Sequence, residues 1–259
     1  MSPSWYTLGS STVWYALAER VASPTSPLSS VEAAECLDES LQASGLRVVN
    51  DQPRVWRRFC AEAAVAATDG GRSANVAKSL DVATLAACWR RAVAAAGSTS
   101  RGAAPTEAAF DSLASLPQQL ADVLPRYVDQ LPLRVRPLLE QWDARGPGLL
   151  RRLERELNRM LPPVDVHWVH PLRGGGGWAE PGLHVVFMEA VLVNPFAPVP
   201  EPLRLAWLMA QCAVDAAPES LIPVVLSAGE FVEWTTCDPS HIALARRAWL
   251  GKDHDDHVS

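Results

Sequence analysis

The sequence predicts an α+β fold, mainly helical, with an N-terminal helical bundle followed by a small antiparallel sheet flanked by helices. Three observations carry this. Apolar residues recur at helical spacing almost everywhere outside residues 164–194. After Pro162-Pro163 the period switches to two: Val164, Val166, Trp168 and His170 point one way, Asp165, His167 and Val169 the other. Residues 183–193 then form a nearly continuous apolar run, the signature of a strand covered on both faces.

Residues 1–97 read as a helical domain. Residues 12–21 form a short helix with Trp14, Leu17 and Val21 on one face, and 23–30 is a loop. Ser30 caps the next helix, whose face is Ala33, Cys36, Leu37 and Leu41, with Gly45 past its end. Asp51 is a good N-cap for a helix that carries Pro53 in its first turn, where the missing N–H costs least. That helix runs to about Thr68, and Asp69-Gly70-Gly71 ends it. A further helical region spans 74–95, broken near Asp81 and stopped by Gly97.

Residues 98–105 are small, polar and closed by a proline, and read as a linker. The α+β domain is expected over 106–252. Thr106 starts a helical series that prolines 117, 125, 132 and 137 should cut into short helices, and Gly146-Pro147-Gly148 should break it again. Leu149, Leu150, Leu153, Leu157 and Leu161 mark an amphipathic helix. The strand segments at either end of 164–194 are expected to pair as an antiparallel hairpin. Residues 201–214 form a helix apolar almost all round, hence buried. Residues 221–234 fit strand or helix. Pro239 opens a last helix that ends at Arg246, Arg247 and Gly251, and 253–259 reads as a disordered tail.

At 259 residues and 48% hydrophobic content the chain has ample material for a core. A net charge of −6 argues against general nucleic-acid binding. No run of about 18 apolar residues predicts a membrane span, and the N-terminus lacks the pattern of a signal peptide. The five cysteines are widely spaced and include no CxxC pair, which fits neither a disulfide framework nor a thiolate zinc site. These features point to a cytoplasmic protein without a cofactor.

Four residues around the hairpin are the candidate site: His170, Arg173, His184 and Glu189. Glu189 interrupts an apolar strand, and a buried carboxylate needs a partner, for which Arg173 and Arg204 are available. On the alternative reading Glu189 faces solvent at a sheet edge. His167 and His170, three apart, fall on opposite faces of a strand and cannot grip one ion, so no metal site is expected. The glycine run 174–177 lacks the lysine and the following helix of a phosphate loop, and reads as a hairpin connection. Arg151, Arg155 and Arg159 stack at i, i+4 and i+8, with Glu154 and Glu156 between them, which suggests a solvated face.

Residues 191–213 resemble the zincin metallopeptidases of the ImmA/IrrE-like type. In the resemblance, AVLVNP matches the end of the edge strand, FAPVPEP the loop and LRLAWLMAQCAVD the active-site helix. The HExxH motif is absent: Trp207, Leu208 and Gln211 stand where the first zinc histidine, the glutamate base and the second histidine would be. Trp and Leu offer zinc no lone pair, and Leu208 has no ionisable group. The resemblance therefore implies a degenerate zincin-like domain without metal or peptidase activity, whose edge-strand groove still binds peptide by strand addition. The expected function is a non-catalytic protein-binding, adaptor or structural role with an unidentified protein partner. Trp5, Trp14, Trp178 and Trp234, near loops or termini, are the interface anchors this reading would use. The alternative is a hydrolase with its site near the 164–194 hairpin.

Overall fold

A computed structural model describes residues 3–22, 28, 30–43, 53–68, 80–97, 105–192 and 197–250. The expectations for Gly45, Asp51, Asp69-Gly70-Gly71, Gly251 and the 253–259 tail, and nearly all of the 98–105 linker, lie outside the described residues. In chain order the elements are β1 (Ser4–Tyr6), α1 (Gly9–Ala22), α2 (Val31–Ala43), α3 (Pro53–Thr68), α4 (Val82–Ala95), α5 (Glu107–Val123), α6 (Tyr127–Leu157), β2 (Asp165–Val169), β3 (Gly177–Glu180), a 3-10 turn (Pro181–Leu183), β4 (Val185–Glu189), α7 (Glu201–Gln211), α8 (Pro218–Phe231) and α9 (Pro239–Leu250). The α+β, mainly helical class holds, with nine helices and one four-stranded sheet among the described residues.

Packing divides the chain into two compact units that interleave in sequence. One holds residues 6–132 and 167–175; the other holds 1–5, 133–166 and 176–259. In the first unit α1 is the central helix, buried over nearly its whole length. It packs on α2, α3 and α5, so the helix after residue 105 joins those before it. Trp14, Trp56, Phe59 and Trp89 meet edge-on at 5.1–6.0 Å, a geometry worth about 0.5–1.5 kcal/mol per pair beyond area burial. Two glutamates sit almost wholly inside, each between arginines. Glu19 pairs with Arg173 and Arg57, and Glu62 with Arg58 and Arg91. The local signals hold here: the Ser30 hydroxyl accepts from the Ala33 N–H (3.1 Å), and Asp81 caps α4 through the Thr84 N–H (2.7 Å).

The prolines do not cut α6. It runs unbroken for 31 residues through Pro132, Pro137 and Pro147. Each proline costs about 3 kcal/mol in a helix interior, but the apolar face continues across them. Leu131, Val135, Leu138, Trp142, Leu149, Leu150 and Leu153 are all buried, at about 1.5–3 kcal/mol each. Gly146 is required rather than disruptive: a Cβ there would lie 2.6 Å from the Trp142 ring, one turn earlier.

The second unit contains most of the sheet, whose order is β1-β2-β4-β3. The sheet is mixed, not purely antiparallel. The Asp165 N–H donates to the His184 carbonyl (2.9 Å), so β2 and β4 start side by side and run the same way. The antiparallel hairpin is β3–β4, a shorter unit than the 164–194 hairpin expected. The apolar run expected as one strand begins with the 3-10 turn, and β4 is confined to Val185–Glu189. His184 takes the left-handed conformation (φ 54°) that lets the chain turn back into β4. Helix α7 packs on β3, β4 and α8, and α9 packs on α8. Residues 221–234, ambiguous in sequence, belong mainly to α8.

Candidate functional site

Strand β3 ends the sheet order, and no described residue pairs with its outer edge. Its register on β4 is Gly177↔Met188, Trp178↔Phe187, Ala179↔Val186 and Glu180↔Val185. The Glu189 N–H donates to the Gly176 carbonyl (3.0 Å) in the same register. Hydrogen-bonded and non-hydrogen-bonded pairs alternate along an antiparallel ladder. Trp178 and Glu180 therefore bond to β4, while Gly177 and Ala179 turn their N–H and C=O groups to the open edge. Both are partly accessible.

The floor under this edge is α7. A Cβ on Gly177 would lie 2.6 Å from the Phe187 carbonyl and 3.0 Å from Leu208 Cδ1. The last glycine of the 174–177 run thus allows strand and helix to approach closely. On the other face Trp178 packs on Phe187, ring centres 4.4 Å apart and planes tilted by 32°. Helix α7 presents no catalytic group here. The Trp207 indole N–H donates to the Pro218 carbonyl (2.8 Å), Leu208 is buried, and the Gln211 amide turns back to the Trp207 carbonyl (3.4 Å). The segment matched to the zincin edge strand follows β4 instead of forming a strand: residues 190–192 are irregular, and 193–196 lie outside the described residues.

One turn along α7, Arg204 and Glu201 form a mostly buried pair at 3.3 Å. Burial pushes the Glu201 carboxyl up from its ordinary value, and Arg204 opposes the rise. Glu201 Oε2 and two Arg204 nitrogens, Nε and Nη1, have no hydrogen-bond partner among the described residues.

The four candidate residues divide between the units: His170 and Arg173 belong to one, His184 and Glu189 to the other. The His170 N–H donates to Thr12 Oγ1 (3.0 Å), and its ring meets Tyr127 edge-on at 6.5 Å. Arg173 is ion-paired with Glu19, so α1 anchors both residues. His184 is exposed at the start of β4 and Glu189 is fully buried at its end, about 15 Å further along the strand. Glu189 therefore sits on a central strand and does not face solvent at an edge. Trp14 and Trp178 are core residues, 1% and 5% exposed. Trp5 packs edge-on against Trp142 at 5.8 Å.

Sequence reading passed over Ser11. Its hydroxyl lies 2.8 Å from His167 Nδ1, and Tyr6 stacks on the imidazole at 5.0 Å. A serine bonded to an imidazole is the pairing of nucleophilic catalysis, but both residues are 0% exposed, which keeps any substrate out. Desolvation drives the His167 pKa down from 6.5 to about 3, so the ring is neutral. Strand β3 is also unmarked in the sequence, because four residues beginning in a glycine run carry too little alternation to register. Its one signal was Trp178 directly after the glycines.

Among the described residues no group of three or more His, Cys, Asp or Glu side chains is arranged to hold a metal ion. All five cysteines are unpaired, and burial raises the Cys212 thiol to about 12. No described helix is long and apolar enough to cross a membrane. Comparison with protein-family models, curated proteins and solved structures returned no match.

Proposed function

We propose that this chain is a non-catalytic protein-binding module that takes up an extended peptide segment as a fifth strand along β3. The supporting observation is the open edge itself. Gly177 and Ala179 present backbone donors and acceptors outward, on a strand fixed from behind by the β4 ladder and from below by α7. Strand addition uses main-chain hydrogen bonds for affinity and alternate side chains for specificity. Four such bonds at about 1 kcal/mol net give about 4 kcal/mol, which alone is millimolar. Useful affinity therefore requires side-chain contacts as well, and a transient adaptor-like interaction is the expected mode. The likeness of α7 to a zincin active-site helix belongs to this proposal, with Trp207, Leu208 and Gln211 removing the hydrolytic chemistry; the docking edge is β3, not the 190–195 segment matched to the zincin strand.

The test is selection of extended peptides from a display library, followed by two proline variants. Ala179→Pro deletes an outward-facing N–H and leaves the β4 ladder intact, so the fold should survive while binding of the selected peptides is lost. Trp178→Pro deletes a ladder donor and should destabilise the hairpin itself. Undiminished binding by a folded Ala179→Pro variant would falsify strand addition at this edge.

A further inference from the structure

The row of Arg151 and Arg155 on α6 and Arg159 just past its end is not neutralised by the glutamates between them. Glu156 is taken by Arg152 (2.7 Å) and by the Ser227 hydroxyl (3.0 Å). Glu154 Oε1 accepts the Leu161 N–H (3.1 Å) where the chain leaves the helix. Arg159 donates to the Ala213 carbonyl (2.9 Å). Arg151 and Arg155 are exposed, and neither guanidinium has a hydrogen bond or ion pair to any described residue. Their position late in the helix suits the macrodipole, but like charges at i, i+4 repel, so helix stability alone is a weak reason for the row.

Two shallow grooves meet at Arg151. One runs past Arg155 and Arg159 to Met160 and carries the basic excess; the other, where Asp143 and Glu233 balance Arg145 and Arg151, runs to Phe231. Met160 is 70% exposed and Phe231 62%, large apolar side chains left in water at the outer ends of a basic strip. Phe231 is held in place by the Arg152 guanidinium, 5.1 Å from its ring centre. Arg151 and Arg155 are one turn apart on α6, about 6 Å at helical rise, and Met160 lies three residues past the helix end at Leu157. The strip thus reads apolar, basic, basic, apolar.

We propose that this face of α6 is a second docking surface, for an acidic protein segment carrying two apolar side chains with carboxylates between them. The carboxylates meet Arg151 and Arg155, and the apolar side chains cover Met160 and Phe231. A nucleic acid would also be drawn to the arginines, but it has no use for the apolar ends, and the chain as a whole carries −6. The surface is separate from the β3 edge, so the chain would join two partner segments.

The test is fluorescence anisotropy on the full chain with three probes. They are an acidic peptide with one leucine on each side of its carboxylates, the same composition with the leucines adjacent, and a single-stranded RNA of similar charge. The proposal expects the spaced peptide to bind best and Arg151→Glu/Arg155→Glu to weaken it at least about tenfold. It also expects Met160→Ser/Phe231→Ser to weaken it several-fold, and Ala179→Pro to leave it unchanged. These positions are exposed, and circular dichroism checks that each variant is folded. Equal binding of the two peptides, tighter binding of the RNA, or no binding of any probe overturns the proposal.

Discussion

Acidification should destabilise the unit that contains His167 in a way one substitution removes. The imidazole is fully buried, stacked on Tyr6 and bonded to Ser11, and its pKa falls from 6.5 to about 3. In the unfolded chain the ring takes a proton near pH 6.5; in the fold it resists until about pH 3. Its contribution is therefore complete above the unfolded value and is lost progressively as pH falls through that window. At about 1.36 kcal/mol per pH unit the loss is about 2 kcal/mol at pH 5 and about 4 kcal/mol at pH 3. His167→Phe keeps a ring against Tyr6 but cannot titrate. It should cost about 1–3 kcal/mol at pH 7, because the Ser11 hydroxyl loses its partner. The assay is urea denaturation of both proteins at pH 7 and pH 5. The wild type should lose about 2 kcal/mol more than the variant between the two conditions. Equal losses, or a His167 ring that titrates near pH 6.5 in the folded protein by NMR, would refute the reasoning.

Gly177→Ala should cost about 1–3 kcal/mol, read as a lower urea midpoint, because the added Cβ meets the Phe187 backbone oxygen, which cannot move aside. Arg204→Met should cost about 2–3 kcal/mol at neutral pH by stranding the Glu201 carboxylate, while Arg204→Met/Glu201→Gln should recover most of it. Burial already raises the Glu201 pKa, and losing Arg204 raises it further. The single variant should therefore regain stability relative to wild type as pH falls through the folded Glu201 value, as thermal melts at stepped pH would register. Gly146→Ala should destabilise α6 rather than strengthen it, against the helix-propensity rule, because the Trp142 ring occupies the Cβ position.

What was legible in the sequence was local. Caps written into single residues, such as Ser30 and Thr106, were readable because a side-chain oxygen two or three residues ahead of an N–H is a property of the chain itself. The amphipathic face of residues 149–153 was readable for the same reason. What failed depended on distant partners. Prolines 132, 137 and 147 read as breaks because their cost is local, while the burial that outweighs it is tertiary. Trp14 and Trp178 were read as interface anchors from their nearness to loops, but Phe59 and Phe187 cover them. The parallel start of β2 beside β4 follows from β3 looping to the far side, which no alternation pattern records. Of the four candidate residues, the pattern placed Glu189 on an apolar strand. It carried nothing about Ser11, which is 156 residues from His167 in sequence.

Strand addition at β3 depends most directly on the two amides that face outward from it. Backbone amide exchange at Gly177 and Ala179, followed by NMR with and without a selected peptide, measures them individually. In the free protein these two amides should exchange faster than those of Trp178 and Glu180, which are bonded to β4. With peptide bound, Gly177 and Ala179 should slow while Trp178 and Glu180 change little. If binding leaves the outward amides fast, or if they are already as protected as the ladder amides in the free chain, β3 is not the edge to which a partner adds.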